Sequence, residues 1–386
     1  MHTELIVALV GGVLAGLLLI GLLVWYVGAA RTRYRNVLIA TTVMTFIVVV
    51  AGAYVRLSDA GLGCPDWPGC YGHLDVPKTT LEREVADATY PNAPVDIAKG
   101  WKEMGHRYIA GVLGFLIVAI AVVAMRRGAT LQQSWRLPIA IVALVIFQAA
   151  LGRWTVTLLL KPVIVTLHLI GGMTILALLT WLTARQWLPE RAPMPPPVPR
   201  ALAAPSLVTS NLRVLSVVML GLIAAQIILG GWVSTNYAAL ACPDLPLCRG
   251  AVIPPMDFAN AFHVLRELGQ TAAGELLSNE ALTAIHWMHR KGALIVSAFA
   301  IFFAWRLARV PGMRGSAVAL LGALAVQFMI GLLNVVYSLP LVLAAAHNAG
   351  AALLLIVIVV INFRLFVSVR SERAVESFVG VRSSLS

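Results

Sequence analysis

The chain contains the heptapeptide CPDWPGC at residues 64–70 and a related heptapeptide, CPDLPLC, at residues 242–248. The two copies start 178 residues apart, and both begin with Cys-Pro-Asp and end with cysteine. Further residues recur at nearly the same distance: His106-Arg107 returns as His289-Arg290, and His168 returns as His347. A spacing that several motifs share indicates an internal duplication. We therefore expect two structurally related halves.

Apolar residues dominate the chain and are grouped in runs that suit a lipid bilayer. Of the 386 residues, 60% are hydrophobic and 12% are charged, and the mean hydropathy is +0.87, whereas soluble domains carry about 25% charged residues. Runs of about 20 apolar residues span a membrane as helices. We predict nine such helices, at residues 5–27, 37–57, 104–125, 137–158, 163–183, 214–235, 284–304, 318–337 and 341–363.

The arginines predict the orientation of these helices. They cluster in alternate connections, near residues 31–35, 126–136, 185–213, 306–314 and 364–382, and arginine-rich short loops remain cytoplasmic. This pattern predicts the inner membrane of a bacterium, an outer N-terminus, a cytoplasmic C-terminus, and two long outward loops. Because the net charge of +12 is concentrated in the short loops, it does not indicate a nucleic-acid partner.

Together these patterns predict an all-α membrane protein with two parallel-repeat four-helix bundles and one extra N-terminal helix. Residues 1–35 contain the extra helix and a basic loop, residues 36–184 the N-terminal half, and residues 213–368 the C-terminal half. Between the halves, residues 185–212 include the proline-rich stretch 193–199, which predicts a stiff cytoplasmic linker. Residues 369–386 form a cytoplasmic tail.

Each half contains two membrane histidines, by which we mean those that recur at matched positions in its predicted membrane helices. His106 and His289 fall in the first turns of their helices, whereas His168 and His347 lie deeper. Ionisable groups in a membrane are costly and usually functional, and two imidazoles inside a helical bundle form an axial ligand pair for heme iron. The alternative is that each histidine is a hydrogen-bonding packing residue. Recurrence at matched positions favours heme ligation, and the absence of thiolates from this set disfavours zinc.

Arginines and cysteines accompany the histidines on the outer side. Arg56, Arg107 and Arg290 lie at outer helix ends, where they either bind heme propionates or anchor the helices at the interface. The cysteines all lie in the two outward loops, where an oxidising compartment favours a local disulfide in each. A redox-active thiol pair is the alternative. The predicted disulfides are Cys64–Cys70 and Cys242–Cys248.

The two halves differ in charge around their matched histidines. Glu103 precedes His106 by three residues, whereas His286 holds the matching position before His289. Residues three apart share a helix face, so the carboxylate lies on the side of His106, where it can move protons or stabilise positive charge. The alternative for Glu103 is a solvated position at a helix start. This asymmetry, to which Arg56, Asp59 and Arg153 also contribute, predicts reaction in the N-terminal half and a retained cofactor in the C-terminal half.

Residues 52–70, GAYVRLSDAGLGCPDWPGC, together with the Glu103-x-x-His106-Arg107 motif and the other three histidines, resemble the heme A synthase family. The resemblance covers residues 36–368. It implies eight membrane helices in two halves, with heme b bound by His289 and His347. It implies that heme O lies between His106 and His168, and that Glu103 and these two histidines are the catalytic residues. The helix at 5–27 is an addition to the eight-helix plan.

The reaction implied by the resemblance is oxidation of the C8 methyl group of heme O, through a hydroxymethyl group, to the formyl group of heme A. The implied partners are heme O, the heme O synthase (a farnesyltransferase), membrane lipid, and an electron acceptor or donor. Two other functions fit part of the sequence. A bis-histidine electron-transfer cytochrome explains the four histidines but not the difference between Glu103 and His286. A heme transporter or chaperone requires a passage to the inner face, which no ionisable residue marks.

Overall fold

A computed structural model describes residues 2–187 and 206–383. Within these two ranges the secondary structure is helical, without a β-strand. The proline-rich stretch 193–199 lies outside the described residues. The helices are α1 His2–Val27, α2 Arg31–Leu57, α3 Thr80–Thr89, α4 Ile97–Leu131, α5 Arg136–Thr157, α6 Pro162–Trp187, α7 Ser206–Thr235, α8 Phe258–Ala261, α9 Asn279–Ala308, α10 Arg314–Val336 and α11 Leu341–Ser383.

In the described part of the chain, nine helices are long and apolar enough to cross a membrane, which confirms the predicted all-α membrane fold. Several of them begin earlier than predicted, and side-chain caps fix two of these starts. Asp96 accepts a hydrogen bond from the backbone of Lys99 at 3.0 Å and caps α4, and Ser278 caps α9 through Ala281. Because these caps lie in polar sequence, hydropathy did not reveal them. His106 and His289 therefore lie well inside their helices, and the prediction of first-turn positions was wrong.

The duplication extends to the backbone of the connections. Four pairs of non-glycine residues adopt positive φ angles, a conformation that is rare for residues with a side chain, and the members of each pair are 178 or 179 residues apart. The turn between α5 and α6 thus matches the turn between α10 and α11. The pairs are Asp59 and Tyr237, Tyr71 and Arg249, Leu159 and Ser338, and Leu160 and Leu339.

Each half is a bundle of four helices around an apolar core. In the N-terminal half α2 packs on α4 and α6, and α5 joins α4 to α6; in the C-terminal half α7, α9, α10 and α11 repeat this order. The core of the first half includes Leu38, Ile117 and Leu179, and that of the second includes Phe303 and Ile358. The halves meet where α6 contacts α7 and α11, and where α2 contacts α11.

Helix α1 lies outside the duplicated bundles and packs mainly on α4. The contact is close at Gly16, where an added Cβ atom would lie 2.2 Å from the ring of Phe115. Elsewhere α1 presents large apolar side chains outward, with Leu18 65% exposed and Trp25 81% exposed. Such a surface suits a hydrocarbon environment, and α1 is therefore a peripheral membrane-spanning helix.

Candidate functional site

Each of the four membrane histidines packs against a glycine of the neighbouring helix. A Cβ atom added to the glycine would lie 3.0–3.2 Å from the Cε1 atom of the imidazole. Because a side chain at this position would displace the ring, each imidazole can lie where it does only beside a glycine. The four pairs are Gly52 with His106, Gly152 with His168, Gly230 with His289, and Gly331 with His347.

The structure brings the two histidines of the C-terminal half together. The ring centroids of His289 and His347 are 6.4 Å apart and the ring planes are nearly perpendicular, at 84°. An iron atom midway between two imidazoles, bound at about 2 Å by one nitrogen of each, places the centroids about 6 Å apart. The observed separation thus fits a bis-histidine heme iron.

The N-terminal histidines occupy the matched positions on α4 and α6. The Nδ1 atoms of both rings are buried and have no hydrogen-bond partner within the protein. A buried polar atom without a hydrogen-bond partner costs about 1–3 kcal/mol. Each ring of this pair therefore has one nitrogen atom that makes no hydrogen bond in an apolar interior. Ligand binding by this pair stays a prediction.

Glu103 is buried, with 5% of its surface exposed, and the alternative of a solvated helix start was wrong. Its Oε2 atom accepts a hydrogen bond from the backbone N–H of Cys64 at 3.0 Å, and its Oε1 atom accepts one from Arg107 at 2.6 Å. In the second half, Nδ1 of His286 accepts the matching hydrogen bond from the N–H of Cys242 at 3.2 Å. Both halves therefore fasten the first cysteine to the histidine-bearing helix, but only the N-terminal half does so with a carboxylate.

Arg107 and Arg290 hold the cysteine loops. Arg107 donates to the backbone carbonyls of Asp66 at 3.0 Å and of Gly69, and Arg290 donates to the carbonyl of Asp244 at 2.9 Å. Arg107 is therefore engaged with its loop and with Glu103. One nitrogen of Arg290, Nη1, is buried without a partner. Propionate binding by these residues stays a prediction.

Arg56 joins the two halves. It donates to the carbonyl of Ser234 at 2.9 Å, and its guanidinium carbon lies 4.0 Å from the ring centroid of Tyr237. Arg153, the other arginine specific to the N-terminal half, is exposed on α5 next to Gly152. The structure thus places Arg56 between the halves, in the last turn of α2.

Both predicted disulfides are present, with Cα–Cα distances of 4.7 Å for Cys64–Cys70 and 4.6 Å for Cys242–Cys248. The aspartate of each heptapeptide completes the loop. Asp66 accepts from the N–H groups of Tyr71 and Gly72 at 2.6 and 2.7 Å, and Asp244 accepts from those of Gly250 and Arg249. These N–H groups, that of Gly250 first, hold the pKa of Asp244 below its ordinary value.

We expect the four cysteines of the purified protein to resist alkylation until a reductant is added, because Cys64 and Cys242 are fully buried as well as bonded. Mass spectrometry of unreduced, alkylated protein measures this directly. Replacing Cys64 and Cys70 together with serine should lower stability by about 2 kcal/mol, as closure of so short a loop predicts. Alkylation of all four residues without reductant would contradict the assignment.

Sequence reasoning missed the glycines Gly52 and Gly230 and the role of the aspartate in each heptapeptide. All of them recur at the spacing of 178 residues. A residue-by-residue alignment of the two halves would therefore have found them.

Comparison with known proteins identifies the family. The family model COX15-CtaA, described as cytochrome oxidase assembly protein, matches residues 35–359. The heme A synthase of Shewanella oneidensis is 41% identical over 326 residues, which are 84% of this chain and 94% of that protein. The heme A synthases of Paracoccus denitrificans and Halalkalibacterium halodurans are 27% and 26% identical, over 84% and 65% of this chain and 86% and 74% of those proteins. The chain therefore belongs to the COX15-CtaA family of cytochrome oxidase assembly proteins.

Proposed function

We propose that this protein is a heme A synthase, an oxidoreductase that converts the C8 methyl group of heme O, through a hydroxymethyl group, to the formyl group of heme A. The observation that carries the proposal is the difference between two matched sites. Glu103 and His286 make the same hydrogen bond to the first cysteine of their loops, yet only Glu103 brings a carboxylate near a histidine pair. Membership of the family supports the assignment.

The N-terminal half is the proposed reaction site, with heme O between His106 and His168. Removing electrons from a methyl group on the ring builds positive charge there, and a buried carboxylate stabilises such charge strongly because little water screens it. Glu103 is also able to take up a proton released in the oxidation. Its salt bridge to Arg107 and its hydrogen bond to Cys64 fix the carboxylate in position. The loop that they hold covers the outer end of the site.

The C-terminal half is the proposed site of a resident heme b, with His289 and His347 as axial ligands. The ring separation of 6.4 Å and the unpartnered Nδ1 atom of His347 fit this group. When bound, heme b supplies one-electron transfer. The protein contributes ring positions set by Gly230 and Gly331 and an apolar interior that excludes water.

Co-expression with a heme O synthase tests the function. The hemes extracted from membranes are separated by chromatography, and heme A together with heme b is the expected result. Heme b alone, despite a supply of heme O, would indicate the electron-transfer cytochrome instead. The heme O synthase and an electron carrier are the proposed partners.

We propose a bacterial inner-membrane location with the N-terminus outside and the C-terminus in the cytoplasm. In this orientation the clusters at Arg31, Arg126 and Arg306 are cytoplasmic, as the positive-inside rule requires. Alkaline phosphatase folds only outside the cytoplasm. We expect a fusion after residue 90 to be active and a fusion at the C-terminus to be inactive. The reverse activities would invert the topology.

A further inference from the structure

Three of the four membrane histidines are accompanied by a glutamine on the adjacent helix. In each case the glutamine lies four residues before the glycine that meets the imidazole, and a second glycine lies three residues after the histidine. The pattern is therefore Q-x3-G on one helix and H-x2-G on its neighbour. The three groups are Gln148, Gly152, His168 and Gly171; Gln226, Gly230, His289 and Gly292; and Gln327, Gly331, His347 and Gly350.

Each glutamine contacts its histidine, Gln226 and Gln327 at the imidazole and Gln148 at the backbone oxygen. Nε2 of Gln226 lies 3.1 Å from Nδ1 of His289 and 2.9 Å from its backbone oxygen. Nε2 of Gln148 donates to the backbone oxygen of His168 at 2.6 Å, and that of Gln327 lies 3.4 Å from Nε2 of His347. Because an amide group offers both a donor and an acceptor, it can serve either tautomer of an imidazole.

The second glycine in each group makes room for the amide. A Cβ atom added to Gly292 would lie 2.3 Å from Oε1 of Gln226, and one added to Gly171 or Gly350 would lie 2.1 Å from Oε1 of its glutamine. A side chain at any of these glycines would displace the glutamine amide from its place beside the histidine. Glutamine and glycine therefore act as a pair, and neither position is independent of the other.

His106 is the exception. Gly52 still meets its ring, but Val48 stands where the other sites have glutamine, and Ile109 stands where they have glycine. Val48 and Ile109 belong to the apolar core of the N-terminal half. His106, one of the two histidines of the proposed substrate site, thus lacks the neighbouring glutamine amide that the other three have.

We propose that this difference makes His106 the exchangeable ligand, through which heme O enters and heme A leaves, whereas the glutamine-supported histidines are fixed ligands. A partner that orients a metal-bound imidazole typically changes metal affinity 10- to 100-fold. A substrate site has to release its product, and a resident cofactor has to stay. This inference rests on the proposed function, because it assigns the substrate to the half that contains His106. Gln226 and Val48 are positioning residues, which act through the histidines.

Reciprocal exchange of the pairs tests the proposal. The double variant Val48→Gln with Ile109→Gly installs the polar pair beside His106, and Gln226→Val with Gly292→Ile removes it beside His289. The purified holoproteins are mixed with apomyoglobin, and the transfer of each heme type is followed by absorbance and chromatography. We expect the first variant to release heme O and heme A about 10- to 100-fold more slowly, and the second to release heme b more rapidly by a similar factor.

Gln226→Leu, which leaves Gly292 unchanged, covers the case in which the second double variant does not fold. It should release heme b faster and shift the low-spin electron paramagnetic resonance signal, because the orientation of His289 is no longer fixed. A general loosening of the bundle would speed the release of heme from both variants. It would therefore not explain slower release from one variant and faster release from the other. Unchanged release rates in folded variants of a protein that makes heme A would overturn the proposal. Absence of heme A from the wild-type reaction would instead refute the proposed function.

Discussion

Replacing Glu103 with glutamine should reduce heme A formation by about 10²- to 10⁴-fold, the usual contribution of a positioned acid–base group. Glutamine keeps one side-chain oxygen, which can accept the hydrogen bond from the N–H of Cys64. Arg107 keeps its hydrogen bonds to the loop carbonyls of Asp66 and Gly69, so the cysteine loop should remain in place. The variant loses the negative charge. We therefore expect heme O, or its hydroxymethyl derivative, to accumulate while the heme b spectrum is unchanged. Chromatography of the extracted hemes measures both outcomes.

The matched control for this prediction is His286→Ala in the C-terminal half. His286 makes the equivalent hydrogen bond to Cys242, so its loss reports the cost of loosening a cysteine loop without the loss of a carboxylate. Heme A formation should fall far less than in Glu103→Gln. If Glu103→Gln made normal amounts of heme A, the N-terminal half would lose its catalytic assignment.

Replacing either His289 or His347 with alanine should remove heme b from the purified protein. Each imidazole is one of the two proposed iron ligands, whose ring centroids are 6.4 Å apart, so either substitution leaves the proposed site with one of its two imidazoles. The low-spin absorbance of the reduced protein measures the loss. His263→Ala is a suitable control, because His263 is exposed in the outer loop and its removal should leave the spectrum unchanged. An unchanged heme b spectrum in both ligand variants would refute the assignment.

The architecture was predictable because lipid imposes a simple rule on sequence. Each membrane helix has to be apolar over about 20 residues, and hydropathy therefore found all nine in the part that the structure describes. The starts of α4 and α9 were missed, because their first turns extend beyond the apolar runs and are fixed by the local caps Asp96 and Ser278. The depth of His106 was misjudged for the same reason.

The chemistry-bearing residues of the candidate site could also be recognised, because histidine, glutamate and cysteine are unusual in or beside membrane helices. Their surroundings could not. The engagement of Arg107 with loop carbonyls and the contact of Gly52 with His106 join residues that are distant in sequence. The partners of Glu103 on the cysteine loop likewise depend on where the loop folds back. Only three-dimensional packing reveals which atoms of such residues remain available.

The contacts between the halves have a consequence for the assembly of a single half. The duplication relates α2 to α7 and α6 to α11, so the contact of α2 with α11 is equivalent to that of α7 with α6, and α6 meets its own counterpart in α11. This is the pattern of an isologous interface, in which two copies present the same patch to each other. A single half would therefore carry both patches needed to form a two-fold homodimer with two equal sites. In the present chain the two sites differ, because Glu103 matches His286 and Val48 matches Gln226.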